Sequence, residues 1–117
     1  MCKAFLGSEK RFQIAVAEYL DMKGVLWMHT PNGGSRYSIE AMGLKRQGVK
    51  RGVPDVIILE PRGRYSGLCI ELKVKDGKPR REQLLWLKWL NGKGYKAVWT
   101  NSLDKVVEIV ENYLKIK

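Results

Sequence analysis

Two short runs near the middle of the chain show the clearest pattern of apolar and polar positions. Residues 52–59 and 67–74 are rich in apolar and β-branched side chains, and the segment between them contains Pro61 and Gly63. Such runs separated by turn formers predict a β-hairpin. Glu71 and Lys73 interrupt the second run on one face, because side chains of a strand alternate. If paired residue numbers sum to an even value near 128, Asp55 lies opposite Lys73 on that same face.

Helical periodicity on both sides of the hairpin predicts four helices, and two further apolar runs predict strands. We expect Ser8 and Ser102 to cap the first and last helices, and Pro79 to be the first residue of the third. The predicted helices cover residues 9–22, 36–47, 79–91 and 103–114, and the outer strands cover residues 25–28 and 95–100. This order (αβαββαβα) indicates one α/β domain over residues 1–117, with helices packed on a central mixed sheet.

The composition narrows the class of partner. The chain has 117 residues and a formal net charge of +10. A charge of this size favours an anionic partner, either nucleic acid or a membrane surface. No apolar run is long enough to span a bilayer, and residues 1–7 lack the apolar core of a signal peptide. Cys2 and Cys69 are isolated thiols, which predicts an intracellular location without disulfides and gives no zinc-binding pattern.

The charged residues of the hairpin admit two interpretations. Glu71 and Lys73 are typical of the solvated face of an antiparallel strand, with Asp55 marking the entry to its neighbour. Alternatively, Asp55 and Glu71 supply the hard oxygen ligands that suit Mg²⁺ or Mn²⁺, and Lys73 acts on a phosphate beside them. The otherwise apolar strands favour the second interpretation. Strands this apolar are usually covered on both faces, and burying a charged side chain there costs free energy that a functional role would explain.

These residues also resemble those of a known nuclease family. Pro54-Asp55 followed by Glu71-Leu72-Lys73 is similar to the PD-(D/E)XK signature. Together with residues 29–34, residues 48–53 and Gln83, the order and spacing resemble the VRR-NUC branch from about Glu9 to the C-terminus. The resemblance implies a restriction-endonuclease-like fold and a Mg²⁺- or Mn²⁺-dependent phosphodiesterase, of the stand-alone kind found in phages and bacteria.

The resemblance also implies roles for individual residues. Asp55 and Glu71 would hold the metal together with a backbone carbonyl beside Glu71, such as that of Leu72. Glu9, four residues before a Gln as in the family, would add a further carboxylate, although its position also suits the positive end of a helix dipole. Lys73 would orient the attacking water or stabilise charge on phosphorus. Gln83 would lie near the site, or would be an ordinary exposed helix residue.

Basic residues before Asp55 and at the start of the third helix are candidates for contact with DNA phosphates. A solvated face is the alternative for such a run of charge. The seven candidates are Lys45, Arg46, Lys50, Arg51, Lys78, Arg80 and Arg81. Asn32 lies in a glycine-rich turn that suits an anion. His29, the only histidine, either lines the site or has a structural role.

Since phosphate contacts carry no sequence information, we expect an endonuclease that recognises nucleic-acid structure more than sequence. The resemblance implies that its substrates are branched DNA such as flaps and four-way junctions. The third helix is apolar around almost its whole circumference, which favours a homodimer. A non-catalytic nucleic-acid-binding module is the main alternative, but binding alone does not require two acids facing a polyanion. A small scaffold protein is a third, and salt-sensitive affinity for DNA would distinguish it from the other two.

Overall fold

The computed structural model describes residues 7–31 and 38–117, and its elements follow the predicted order. In chain order they are α1 (Ser8–Lys23), β1 (Trp27–His29), α2 (Ser38–Arg46), β2 (Val56–Ile58), β3 (Leu68–Leu72), α3 (Arg81–Gly92), β4 (Lys96–Thr100) and α4 (Leu103–Leu114). Asn32, Arg36 and Cys2, which figured in the predictions, lie outside the described residues.

The four strands form one mixed sheet in the order β1-β2-β3-β4. β2 pairs antiparallel with β1 and β3, whereas β3 and β4 are parallel and joined through α3. The hairpin is confirmed, but its register differs from the expected one. Val56 pairs with Ile70, a sum of 126, which places Asp55 level with Glu71 instead of Lys73. Every even sum keeps the same faces together, so the alternation could not choose between the two registers.

Helices cover the two faces of the sheet unequally. On one face α1 and α4 bury a continuous apolar cluster with the strands, whose fully buried members include Val16, Leu20, Ile58, Ile70 and Val110. On the other face α3 covers β3 and β4, where Cys69, Leu87 and Ala97 form a smaller cluster. The β1 side of that face leaves Leu26, Met28 and Leu59 exposed. The larger cluster supplies most of the apolar burial that holds the fold together.

The predictions for the helix ends were partly wrong. Ser102 caps α4, its hydroxyl accepting a hydrogen bond from the Lys105 N–H at 3.1 Å, as expected. Gly7 is the N-cap of α1, and Ser8 is already inside the helix. Pro79 precedes α3 by two residues, because Arg80 takes the extended conformation of an N-cap and Arg81 begins the helix. Composition alone could not separate neighbouring positions of this kind.

Two further predictions concern membrane-spanning segments and the cysteine thiols. Among the described helices, none has the length and apolar character needed to cross a membrane. Cys69 is buried and forms no disulfide, and burial raises the pKa of its thiol to about 11. A thiol with so high a pKa is almost entirely protonated near neutral pH, which makes it a packing residue of the α3 face.

Candidate active site

Asp55 lies where β2 begins, with its carboxylate turned toward β3. Its Oδ2 accepts a hydrogen bond from the backbone N–H of Leu72 at 2.8 Å. This bond joins the ends of the two strands and brings the Asp55 carboxylate to the neighbourhood of Glu71. The structure thus assembles the acidic pair that the sequence predicted, in a register two residues away from the predicted one.

Glu71 is the most deeply buried acid of this pair. Only 2% of it is exposed, and its Oε1 has no hydrogen-bond partner among the described atoms. Buried polar atoms are nearly always hydrogen-bonded in folded proteins, and an unpartnered carboxylate oxygen is especially costly. An oxygen left in this state, next to a second carboxylate, is well suited to bind a cation.

Burial raises the pKa of both acids, and the charge of Asp55 adds to this effect on Glu71. Burial, together with the negative charge of Asp55, raises the pKa of Glu71 from 4.5 to about 7, although Lys73 opposes the shift. Burial also raises the pKa of Asp55, against the lowering effects of the Leu72 N–H and the nearby His29 and Lys73. Raised pKa values of this kind are found where acids are held in place for binding or catalysis.

Lys73 and Gln83 both contact Glu71 through its other oxygen, Oε2. The Lys73 ammonium lies 3.4 Å from this atom and is mostly shielded from solvent. The Gln83 amide donates a hydrogen bond to the same atom at 3.0 Å. Gln83 is only 6% exposed, so it is a buried part of the site and not an ordinary surface residue of the helix.

The orientation of the Gln83 amide is fixed from the helix side. Its Oε1 accepts a hydrogen bond from the backbone N–H of Arg80 at 2.7 Å, which satisfies one of the free N–H groups at the start of α3. With the oxygen held there, the NH₂ group has to face Glu71. The end of the helix therefore determines which atom of Gln83 meets the carboxylate.

The end of β1 holds the backbone of Asp55 in place. The Asp55 carbonyl accepts hydrogen bonds from the Thr30 N–H at 3.0 Å and from His29 Nδ1 at 2.9 Å, and the Thr30 hydroxyl donates to the Pro54 carbonyl. A carbonyl can only accept, so His29 carries its proton on Nδ1 in this arrangement. His29 thus has a structural role beside the site, and its predicted contact with DNA stays a prediction.

Gly52 allows the loop before Asp55 to pack against α3. Its φ is +92°, and a Cβ atom there would lie 2.7 Å from the Glu82 carbonyl oxygen in the first turn of the helix. Only glycine tolerates both the backbone conformation and this close approach. The contact holds the loop that leads to Asp55 against the helix that carries Gln83.

The structure does not bring Glu9 into this group. It is exposed in the first turn of α1, and no three acid, His or Cys side chains of residues 7–31 and 38–117 come together as a metal-binding cluster. The predicted ligand set therefore has two carboxylates in place, Asp55 and Glu71, while the Leu72 carbonyl and Glu9 stay predictions.

The predicted phosphate-binding residues are exposed, as such contacts require. Lys45 and Arg46 occupy the last turn of α2, and Lys50 and Arg51 follow it in the loop that leads to Asp55. Near the start of α3, Arg80 lies 3.5 Å from the Glu82 carboxylate, while Lys78 and Arg81 are exposed beside it. Both groups flank segments that lead directly into the acidic pair.

The sequence analysis did not find two residues around the site. Thr30 was hidden because its role depends on the pairing of β1 with β2, which the sequence alone does not reveal. Trp99 pairs with Glu71 across the parallel strands, so its side chain starts from the same face of the sheet, and it is 38% exposed. The sequence shows that Trp99 is an aromatic residue in the predicted strand after α3. It does not show the strand register that pairs Trp99 with Glu71.

Comparisons with known proteins agree with this geometry. The model of the VRR-NUC domain matches residues 8–104. A solved structure of a VRR-NUC domain protein superposes with a TM-score of 0.68 at 34% sequence identity, over 78% of this chain and 69% of that one. No curated protein matches the chain. The matched range contains the acidic pair, Lys73 and Gln83.

Proposed function

The chain belongs to the VRR-NUC family, a family of nucleases, and we propose that it is a metal-dependent endonuclease that hydrolyses phosphodiester bonds of DNA. One observation carries the proposal. Glu71 is buried with an unpartnered oxygen beside a second carboxylate, while Lys73 lies 3.4 Å from its other oxygen. A purely structural ion pair does not need the second acid.

The residues present fit a divalent cation. Asp55 and Glu71 provide hard oxygen ligands, and a cation would stabilise the charged forms of both acids, whose pKa values burial raises. We propose Mg²⁺ or Mn²⁺, held by these two carboxylates with the Leu72 carbonyl as a further ligand and Glu9 acting through water. When bound, such an ion polarises the phosphate and lowers the pKa of a coordinated water.

The residues around the acidic pair have separate roles in catalysis, in holding the carboxylates and in binding DNA. Lys73 is placed to stabilise negative charge on the phosphate or to orient the attacking water. Gln83 fixes the Glu71 carboxylate from the helix side, and the His29–Thr30 segment fixes Asp55 through its backbone. The exposed basic residues beside α2 and α3 bind the DNA backbone, which gives affinity without reading the sequence.

We further propose that the substrate is branched DNA, such as a flap or a four-way junction, and that the protein acts as a homodimer. The dimer is supported by the outer side of α3, where Leu84 and Trp89 are 49% and 52% exposed. Large apolar residues in such positions favour an interface between copies, and two copies would present two active sites to a two-armed substrate. An intracellular location is supported by the free thiol of Cys69.

The first experiment incubates the protein with labelled four-way junction, flap and linear duplex DNA in Mg²⁺, Mn²⁺ or EDTA. Asp55→Ala and Lys73→Ala are compared with Asp104→Ala and Lys105→Ala, which remove the same residue types on α4. We expect metal-dependent cleavage that is lost in the first two variants and kept in the controls. The best-cut substrate gives the structural preference.

The main alternative is a nucleic-acid-binding module without catalysis. The ion pair between Lys73 and Glu71 is compatible with this alternative, because an ion pair can stabilise the end of β3 without taking part in catalysis. Salt-sensitive DNA binding without cleavage in either metal would overturn the nuclease proposal and support this module. Sedimentation of the wild type and of Trp89→Glu tests the dimer separately: a monomeric wild type would exclude it.

A further inference from the structure

A second cationic site lies at the end of the sheet farthest from the acidic pair. It is a cavity of about 360 Å³, formed where the segment before β3 meets the end of α3 and the beginning of β4. Arg64, Tyr65, Asn91, Tyr95 and Lys96 contribute to its wall, and none of its lining residues is acidic. Nothing in the proposed mechanism uses these residues.

The two cations of this cavity are arranged around one aromatic ring. The Arg64 guanidinium carbon lies 5.1 Å from the ring centroid of Tyr65, and Lys96 Nζ lies 5.7 Å from the same point. Both distances are within the range of cation–π attraction. Neither cation is paired with a carboxylate among the described residues, so both charges remain available to an anion from solution.

The wall of the cavity is held by a rigid polar contact. The Asn91 side chain donates to the carbonyls of Leu87 and Ala97 at 2.9 and 3.0 Å and accepts from the Ala97 N–H at 3.0 Å. These bonds connect the end of α3 to the exposed edge of β4, next to Lys96. The backbone beside Lys96 is therefore already ordered before an anion binds.

Lys96 starts from the face of the sheet opposite to Glu71, and the offset between the two along the molecule can be given along the strands and along α3. Lys96 is level with Leu68, three residues before Glu71 along β3, which corresponds to about 10 Å. Along α3, Gln83 and Asn91 are separated by about 12 Å. Successive base pairs of DNA are spaced by about 3.4 Å, so either distance corresponds to roughly three or four base pairs.

We propose that Arg64 and Lys96 together bind one backbone phosphate of the DNA, at least roughly three or four nucleotides from the bond cut at Asp55 and Glu71. The aromatic ring of Tyr65 holds the two cations in position. The position relative to the cut bond rests on the proposed nuclease function. The phosphate contact itself does not.

The binding test uses the double variant Arg64→Ala/Lys96→Ala and a charge-matched control, Lys23→Ala/Lys105→Ala. The control also loses two positive charges, but both of its lysines are already paired with carboxylates. Affinity for a labelled 30-base-pair duplex is measured in EDTA over a series of salt concentrations. We expect roughly tenfold weaker binding by the cavity variant and a log–log salt slope reduced by about 1, with little change in the control.

Thermal melting shows whether each variant is folded, and Tyr65→Phe, which keeps the ring, should bind like the wild type. Equal affinity and slope for the cavity variant and the control would overturn the proposal. If the cavity variant binds weakly while the wild type never cleaves DNA, the phosphate contact stands and the nuclease function fails.

Cleavage of shortened substrates tests the spacing. The duplex beyond the cut site is reduced stepwise from ten to two base pairs, on each side in turn. We expect the wild-type KM to rise once one arm is shorter than roughly three or four base pairs, while the KM of the cavity variant is high throughout. A wild-type KM that ignores both arms, or a variant that responds to length as the wild type does, would contradict the assigned position.

Discussion

Helix α3 carries two side-chain amides about two turns apart, and they illustrate two uses of a polar group. Asn91 makes all three of its hydrogen bonds to backbone atoms and connects the helix to the edge of β4. Gln83 accepts one hydrogen bond from the backbone and donates the other to Glu71, whose second oxygen has no partner among residues 7–31 and 38–117. The first arrangement is complete in itself, whereas the second is completed only by a further ligand. That difference separates a stabilising contact from a functional one.

Of the substitutions considered, the replacement of Glu71 should have the largest effect on the cleavage rate. We expect Glu71→Gln to lower the cleavage rate at least about 1000-fold, equivalent to about 4 kcal/mol of transition-state stabilisation, because it removes a charged ligand of the proposed metal ion. The same change removes a buried charge with an unpartnered oxygen, so the free energy of unfolding should not fall. Single-turnover cleavage and urea unfolding at pH 8 measure the two effects.

Glu108→Gln is the control for this substitution, since Glu108 lies on α4 and forms an ion pair with Lys105 at 3.6 Å. It should leave both quantities unchanged. A Glu71→Gln protein that cleaves normally, or that unfolds far more easily than the wild type, would show that Glu71 serves the fold and not the reaction.

The sequence predicted the elements well and the contacts between them less well. The order of the eight elements, the hairpin and the Ser102 cap are confirmed, because each depends on local periodicity or on a single turn of chain. The register of β2 on β3 was wrong by two residues. The connection between these strands is too long to fix the register by turn geometry, and the Arg62–Tyr65 bridge forms a separate small turn within it.

The site was predictable only where chemistry and a family pattern coincide. Asp55, Glu71, Lys73 and Gln83 were named from the sequence, and the structure brings them together. The hydrogen bonds from Thr30 and His29 to the backbone before β2 were not predictable, because they connect residues more than twenty positions apart. Long-range backbone contacts of this kind leave no periodic signal in a single sequence.

Asn91 should show the opposite behaviour to Glu71. We expect Asn91→Ala to lower the free energy of unfolding by about 2–3 kcal/mol, because three hydrogen bonds are lost and the Ala97 backbone loses its partner. The cleavage rate at saturating substrate should be unchanged, since Asn91 lies at the far end of α3. Urea unfolding and single-turnover cleavage are again the measurements.

The matched control is Asn101→Ala, which removes one exposed bond, from Nδ2 to the Lys75 carbonyl. Its cost should be below about 1 kcal/mol. A similar loss of stability in the two variants would show that the Asn91 contacts add nothing beyond an ordinary surface amide.

The pH dependence of stability in EDTA tests the same contrast through protonation. The pKa of Glu71 is raised in the folded protein from 4.5 to about 7, so between these values the native state binds more protons than the unfolded state. Stability then falls as the pH rises through this window, by an amount on the order of 3 kcal/mol, and the raised pKa of Asp55 adds in the same direction. Urea unfolding from pH 4.5 to 8 should show this decline in the wild type and a smaller one in Glu71→Gln. A stability that rises with pH in both proteins would contradict the assignment.

Gln83 should give the smallest effect and the most specific one. In Gln83→Met a side chain of similar size replaces the amide, so Glu71 keeps Lys73 but loses the hydrogen bond that fixes its orientation. We expect the cleavage rate to fall about tenfold, or about 1.4 kcal/mol, with DNA affinity in EDTA unchanged. A less well-held carboxylate binds the metal more weakly, so a higher Mg²⁺ or Mn²⁺ concentration should restore part of the rate. Asn91→Ala provides the comparison on the same helix, because its rate should not respond to the metal concentration differently from the wild type. If Gln83→Met instead loses stability and its metal dependence is unchanged, Gln83 stabilises the fold as Asn91 does. The distinction between the two side chains would then be wrong.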